Sequence, residues 1–158
     1  MIITKIKSGK SIQIDYKDGR DKKTLTSKEM AETEFYAALS EIALDIKTSL
    51  AKELDYEGEA LDEFIQRHKL SIDTIAFSWD EEDGVIDKYA VWGDHFIEGT
   101  IWYTDIHLVF QFGSEWSPDK SALRILEEAG KYVDGKRAQM NLFEKPEEMK
   151  DWKVTKVE

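Results

Sequence analysis

The 158-residue sequence has no cysteine, two prolines and three histidines. Without cysteine, disulfides, thiolate nucleophiles and cysteine-ligated zinc are all excluded, and a reducing compartment suits the chain. No apolar run approaches the roughly 20 residues that a membrane helix needs, and the run within Met1–Lys10 is too short for a signal peptide. A cytoplasmic location is therefore expected. Glycine-rich phosphate cradles, Gly-x-Ser-x-Gly turns and His-x-x-x-His or Glu-x-x-His pairs are also missing. Cations are in deficit, with 22 Lys and Arg against 33 Asp and Glu and a formal charge of −11. Such a balance disfavours nonspecific binding to a phosphate backbone, which requires clustered positive charge.

What is present is patterned for one α+β domain. Ile2, Ile3 and Ile6, a break at Ser8-Gly9-Lys10, and then Ile12, Ile14 and Tyr16 predict a β-hairpin. Asp18 to Asp21 is a turn signal, and Thr24 to Thr26 follow as a short strand. Thr26 and Glu29 have capping-box spacing ahead of Phe35, Leu39, Ile42, Ile46, Leu50 and Leu54, which predicts a long helix over 27–54. The Phe35-Tyr36 pair is read as core packing. Leu61, Phe64 and Ile65 suggest a shorter helix ending near Arg67 or His68. From Leu70 the period becomes alternating: Ile75, Phe77 and Trp79 share one strand face, Asp80 to Gly84 turn the chain, and 85–92 return. Residues 96–110 read as one long or two shorter strands with apolar residues on both faces, hence central, bent at Gly99, or covered by helices on two sides. Ser117-Pro118-Asp119 is a helix start with Ser117 as the cap, and Ala122, Ile125, Leu126, Ala129, Tyr132 and Val133 form its apolar stripe. The expected architecture is an antiparallel sheet of about five strands packed against the long helix and this C-terminal helix. Residues 1–134 form the domain, and 135–158 form a tail that is flexible or loosely docked.

Chemistry is thinly represented, and no enzyme, cofactor or metal is expected. A site built from His95 and His107 with Asp94, Glu98 or Asp105 would require the sheet to bring them together, so structural or surface roles are expected for all three histidines. The Asp80-Glu81-Glu82-Asp83-Gly84 run lacks the ligand spacing of a calcium loop and is read as a solvated turn. Trp79, Trp92 and Trp102 are assigned to the core; Trp116 and Trp152, in loop and tail, are the candidates for stacking on a ligand.

The remaining motif is Gln139-Met140-Asn141-Leu142-Phe143, just past the last helix and flanked by Lys136, Arg137 and Lys145. It resembles the pentapeptide, commonly Gln-Leu-Ser/Asp-Leu-Phe, by which many bacterial polymerase, repair and replication-accessory proteins bind the DNA sliding clamp. That resemblance implies that Gln139 anchors at the pocket rim, that Leu142 and Phe143 enter an apolar cleft, and that Met140, in place of Leu, lies on a secondary patch. More widely, the chain is similar to small uncharacterised proteins encoded by phages and prophages near recombination or replication genes. The residues that carry this likeness are Phe35 to Leu39, Ile75 to Trp79 and Tyr132 to Gln139. The expectation is a noncatalytic accessory protein that docks on a host clamp in the cytoplasm; an acidic nucleic-acid mimic is the alternative that the net charge suggests.

Overall fold

The computed structural model describes residues 1–138. In chain order the elements are β1 (Ile2–Ser8), β2 (Ile12–Asp18), β3 (Asp21–Ser27), α1 (Thr33–Glu53), α2 (Gly58–Arg67), β4 (His68–Asp80), β5 (Val85–Ile97), β6 (Tyr103–Gln111) and α3 (Asp119–Val133). The six strands form one antiparallel sheet in the order β3-β2-β1-β4-β5-β6. The α+β class is as the sequence predicts, with six strands in place of about five. β3, expected as a short strand at Thr24 to Thr26, runs over Asp21–Ser27; only Leu25 among its residues joins the core, so the hydrophobic signal is weak and ladder pairing with β2 holds it in place.

Side chains alternate between the two faces of a strand, and directly paired residues share a face. One face carries Ile6, Ile14, Ile75, Phe77, Tyr89 and Val91, all nearly or fully buried. Against it lie Phe35, Ala38 and Ile42 of α1 and Ala122, Ile125, Ala129 and Tyr132 of α3, in a single cluster. Small residues at 38, 122 and 129 let the two helices approach closely. Ser121 Oγ donates to Asp45 Oδ2 at 2.8 Å, satisfying a buried hydroxyl across that contact. The other face carries Lys5, Lys7, Thr74, Trp92 and His107, and no residue of this face belongs to the cluster. Among the described residues no helix is long and apolar enough to cross a membrane.

Several local expectations change. The long helix begins at Thr33, not 27, because Thr26 and Ser27 pair with Gln13 and Ile12 in the sheet. The predicted capping box is thereby replaced by a turn in which the Glu29 amide donates to Ser27 Oγ. At α3 the cap position is Pro118, and the Ser117 hydroxyl donates to the Ser114 carbonyl instead. Asp119 ties the helix start to the sheet: Oδ1 accepts from the Tyr89 hydroxyl and Oδ2 from the Gly113 amide, each at 2.7 Å. Burial, followed by that carboxylate, pushes the Tyr89 phenol far above its ordinary range. In the acidic turn, Asp80 Oδ1 accepts from the amides of Glu82 and Asp83. Of the three accounts of residues 96–110, the break at Gly99 is the one found, with φ +83; β6 ends the sheet and is neither central nor covered on both sides. Trp79 packs on the core and donates to the Ile3 carbonyl at 2.8 Å. Trp92 lies on the uncovered face and Trp102 is half exposed in the β5–β6 turn, so neither is a core residue.

Gly93 makes the closest approach in the sheet. An added Cβ there would lie 1.8 Å from the Ser71 carbonyl oxygen, beside the bulge that Asp73 introduces into β4. Gly93→Ala should therefore cost about 3 kcal/mol or more, since backbone has to move. Gly9→Ala, with nothing within 4 Å of its added Cβ, should change stability by less than about 0.5 kcal/mol. Urea unfolding of the two variants checks the contrast.

Candidate functional site

The predicted docking residues Gln139, Met140, Leu142 and Phe143 lie outside the described residues, as does Trp152. What is described is the point from which the motif starts. α3 ends at Val133, and Gly135, with φ +104, turns the chain back. Arg137 then folds onto the body: its guanidinium carbon sits 3.6 Å from the centre of the Tyr132 ring, its Nε donates to Glu29 Oε1 at 2.8 Å, and an Nη donates to the Tyr132 carbonyl. The Tyr132 hydroxyl in turn donates to the Glu29 carbonyl. One residue on, the Ala138 amide donates to the Met30 carbonyl at 2.9 Å. The β3–α1 connection and the end of α3 are thus stitched together, and the motif begins at the next residue. Beside this exit a shallow hollow of about 320 Å³ is lined by Gly9, Ile12, Met30 and Tyr36.

The histidines are arranged differently from the site weighed in the sequence. His95 and His107 point to opposite faces: His95 is level with Leu70 and Thr104 on the helix side, while His107 is level with Trp92 on the uncovered side. His95 instead meets His68, with Nδ1 of His68 2.9 Å from Nε2 of His95 and the rings stacked 12° from parallel. The hairpin turn at Asp80 to Gly84 contained the signal for this pair. Counting back from the Asp80↔Val85 pairing sets Leu70 opposite His95, because bulges on the two strands cancel. Phe64 stacks on His68, with ring centres 4.0 Å apart, and Trp102 meets His95 edge-on. Leu50, Leu70, Ile106 and Leu108 complete the walls of an apolar cavity of about 150 Å³ beside the pair. Lys47, at its rim, donates to the carbonyls of Ile65 and His68 at 3.1 and 3.0 Å, closing the carboxyl end of α2.

A ring-to-ring hydrogen bond needs one nitrogen to donate and one to accept, so at most one proton is shared and the contact is lost when both rings charge. Burial first, then the neighbouring charges, lowers both imidazole pKa values: His95, Arg67 and Lys47 act on His68, and Lys47 acts on His95. Burial and Lys69 lower that of Lys47. Among the described residues no three His, Asp or Glu side chains converge on a metal position. The chemistry at hand is that of a neutral aromatic hinge between α2 and the sheet. Trp116, the loop candidate for stacking, is partly exposed beside Asp45, Ser117 and Lys120 with no aromatic neighbour in that hollow.

The fold and its surfaces thus define a two-layer α+β body with one helix-covered sheet face, one uncovered face and a fixed start for the segment that follows Ala138. Comparisons with protein-family models, with curated proteins and with solved structures give no match.

The histidine pair makes stability depend on pH with a definite sign. The unfolded chain takes up protons near pH 6.5, whereas the folded pair resists them until a lower pH. Its contribution is therefore complete above about pH 6.5 and is lost as pH falls from there through the lowered folded values. Urea midpoints at about pH 7.5 and 5.5 should differ more for the wild type than for His95→Leu, in which the pair is absent.

Proposed function

We propose that this is a noncatalytic, phage-type accessory protein that docks on a bacterial DNA sliding clamp, in the cytoplasm, through Gln139 to Phe143. The observation that carries the reading is the anchored exit: Arg137 and Ala138 are held on the body, and the docking sequence starts immediately afterwards. The core cluster of the described residues is assembled from positions 3 to 132. In this reading the Gln139 amide bonds at the rim of the clamp pocket, Leu142 and Phe143 fill it, and Met140 covers an adjoining patch.

Burying two such side chains contributes about 1.5 to 3 kcal/mol each before ordering costs, which sets micromolar affinity or weaker for the segment alone. A tighter complex requires further contact from the body or two copies on one clamp. The acidic-decoy reading gains no comparable support, since in the densest acidic run Asp80 is occupied by its own turn amides.

Calorimetric titration of a bacterial clamp tests the proposal. Wild-type protein should bind with a micromolar Kd, and Leu142→Ala/Phe143→Ala should weaken binding by at least roughly tenfold. Undiminished binding by the double variant, or none by the wild type, removes the idea.

A further inference from the structure

The uncovered face of the sheet gathers several lysines near an aromatic pair, in a chain that is acidic as a whole. Around Trp92 and His107 it carries Lys7 in the same cross-strand row, Lys5 in the next row with Val109 and with Asp15 of β2 as its other neighbour, and Lys88 one row further. None of these three lysines forms an ion pair among the described residues. The row on the other side of Trp92 is acidic, with Asp94 opposite Asp105. Negative charge is therefore steered from the Asp94 end toward the lysine end.

The aromatic geometry is equally specific. Trp92 and His107 are direct cross-strand partners with ring centres 4.6 Å apart and planes 7° from parallel. A separation close to the strand spacing of about 4.8 Å means that the rings stand side by side, with the stack running across the sheet. Inward of Trp92, Thr74 is only 8% exposed although it lies on the uncovered face. Outward, His107 is exposed on the last strand of the sheet, so its far ring face opens past the sheet edge. A flat unsaturated ring can extend this stack, and a polyanionic backbone attached to that ring would run over Val109 toward Lys5 and Lys88.

We infer that this face binds single-stranded nucleic acid, with a base stacked on His107 and the phosphates following Lys5, Lys7 and Lys88. Paired bases do not offer their ring faces in this way, and a single strand needs both a stacking platform and local cations. The overall charge of −11 excludes a broad electrostatic footprint, and three lysines supply a short one. Binding is therefore weak, selective for unpaired strands and strongly salt-dependent.

The test is fluorescence anisotropy of the full chain with labelled oligothymidine, oligouridine and a duplex, each of roughly 15 nucleotides, since stacking platforms accept short single strands. At low salt both single strands should bind, the duplex at least about tenfold more weakly, and log K should fall against log salt with a slope of about −2, for three phosphates released. The DNA and RNA arms identify which strand is preferred. Lys5→Glu/Lys7→Glu should reduce binding by roughly tenfold or more, and His107→Ala should reduce it while preserving the folded circular dichroism spectrum. Leu142→Ala/Phe143→Ala should bind oligonucleotides as the wild type does, which separates this surface from clamp docking. The inference is overturned if no single strand binds at low salt, if the duplex binds equally well, if the lysine variant is unaffected, or if the face is sealed by a second copy in a dimer that Trp92→Ala dissociates.

Discussion

Burial of one face of the sheet under α1 and α3 is the interaction on which everything else in this protein depends. Ile6, Ile14, Ile75 and Val91 leave water by packing against Phe35, Ile42, Ile125 and Tyr132 in one cluster. Apolar burial of this kind is worth about 25 cal/mol per Å² and is the dominant favourable term in folding. Polar ties then fix how the layers sit without having to supply that energy. Asp119 joins α3 to β5 and to the loop before it, Ser121 joins α3 to Asp45, and Lys47 joins α1 to the end of α2.

The same arrangement determines where function can reside. A helix-covered face is occupied by its own core, which leaves the uncovered sheet face, the rim beside the histidine pair, and the segment leaving α3. At the rim, Lys47 is already committed to two carbonyls and the imidazoles to each other, so that region serves best as a joint. The uncovered face has lysines without an ion pair among the described residues next to an open ring stack, and the exit has a pinned start followed by the proposed docking peptide. The two proposed roles belong to one setting, unpaired nucleic acid and a sliding clamp, yet they are separate in residues and in physics. One depends on salt, the other on two apolar side chains.

Much of the fold was legible because periodicity reports which face is buried. Phe35, Leu39, Ile42 and Ile46 mark α1, and Ala122, Ile125 and Ala129 mark α3, wherever their ends fall. The ends were less legible, since Thr26 and Ser27 serve equally well in a helix start and in a ladder, and the pairing with β2 decides between them. Tertiary facing was the least legible. Trp92 sits among apolar strand residues as a core tryptophan would, but its position in the pleat places it outside. The β5–β6 turn at Gly99 resets the alternation, so His95 and His107 part company, while His68 and His95 meet across a hairpin that has to be counted back from the turn at Asp80 to Gly84 and cannot be read from the spacing of the histidines themselves. The gathering of Lys5, Lys7 and Lys88 was hidden because these lysines come from β1 and β5, far apart in a sequence that is acidic as a whole.

The claim most open to direct contradiction is that the body is complete before the docking peptide begins, against the rival in which Leu142 and Phe143 close down on the hollow beside Met30 and Tyr36. Thermal unfolding of the full chain and of a chain ending at Ala138 separates the two. If the body is complete at Ala138, midpoints within about 2 °C of each other are expected. A latch formed by both side chains would contribute roughly 3 to 6 kcal/mol before ordering costs, so a fall of about 10 °C or more in the shortened chain would show that the peptide belongs to its own fold.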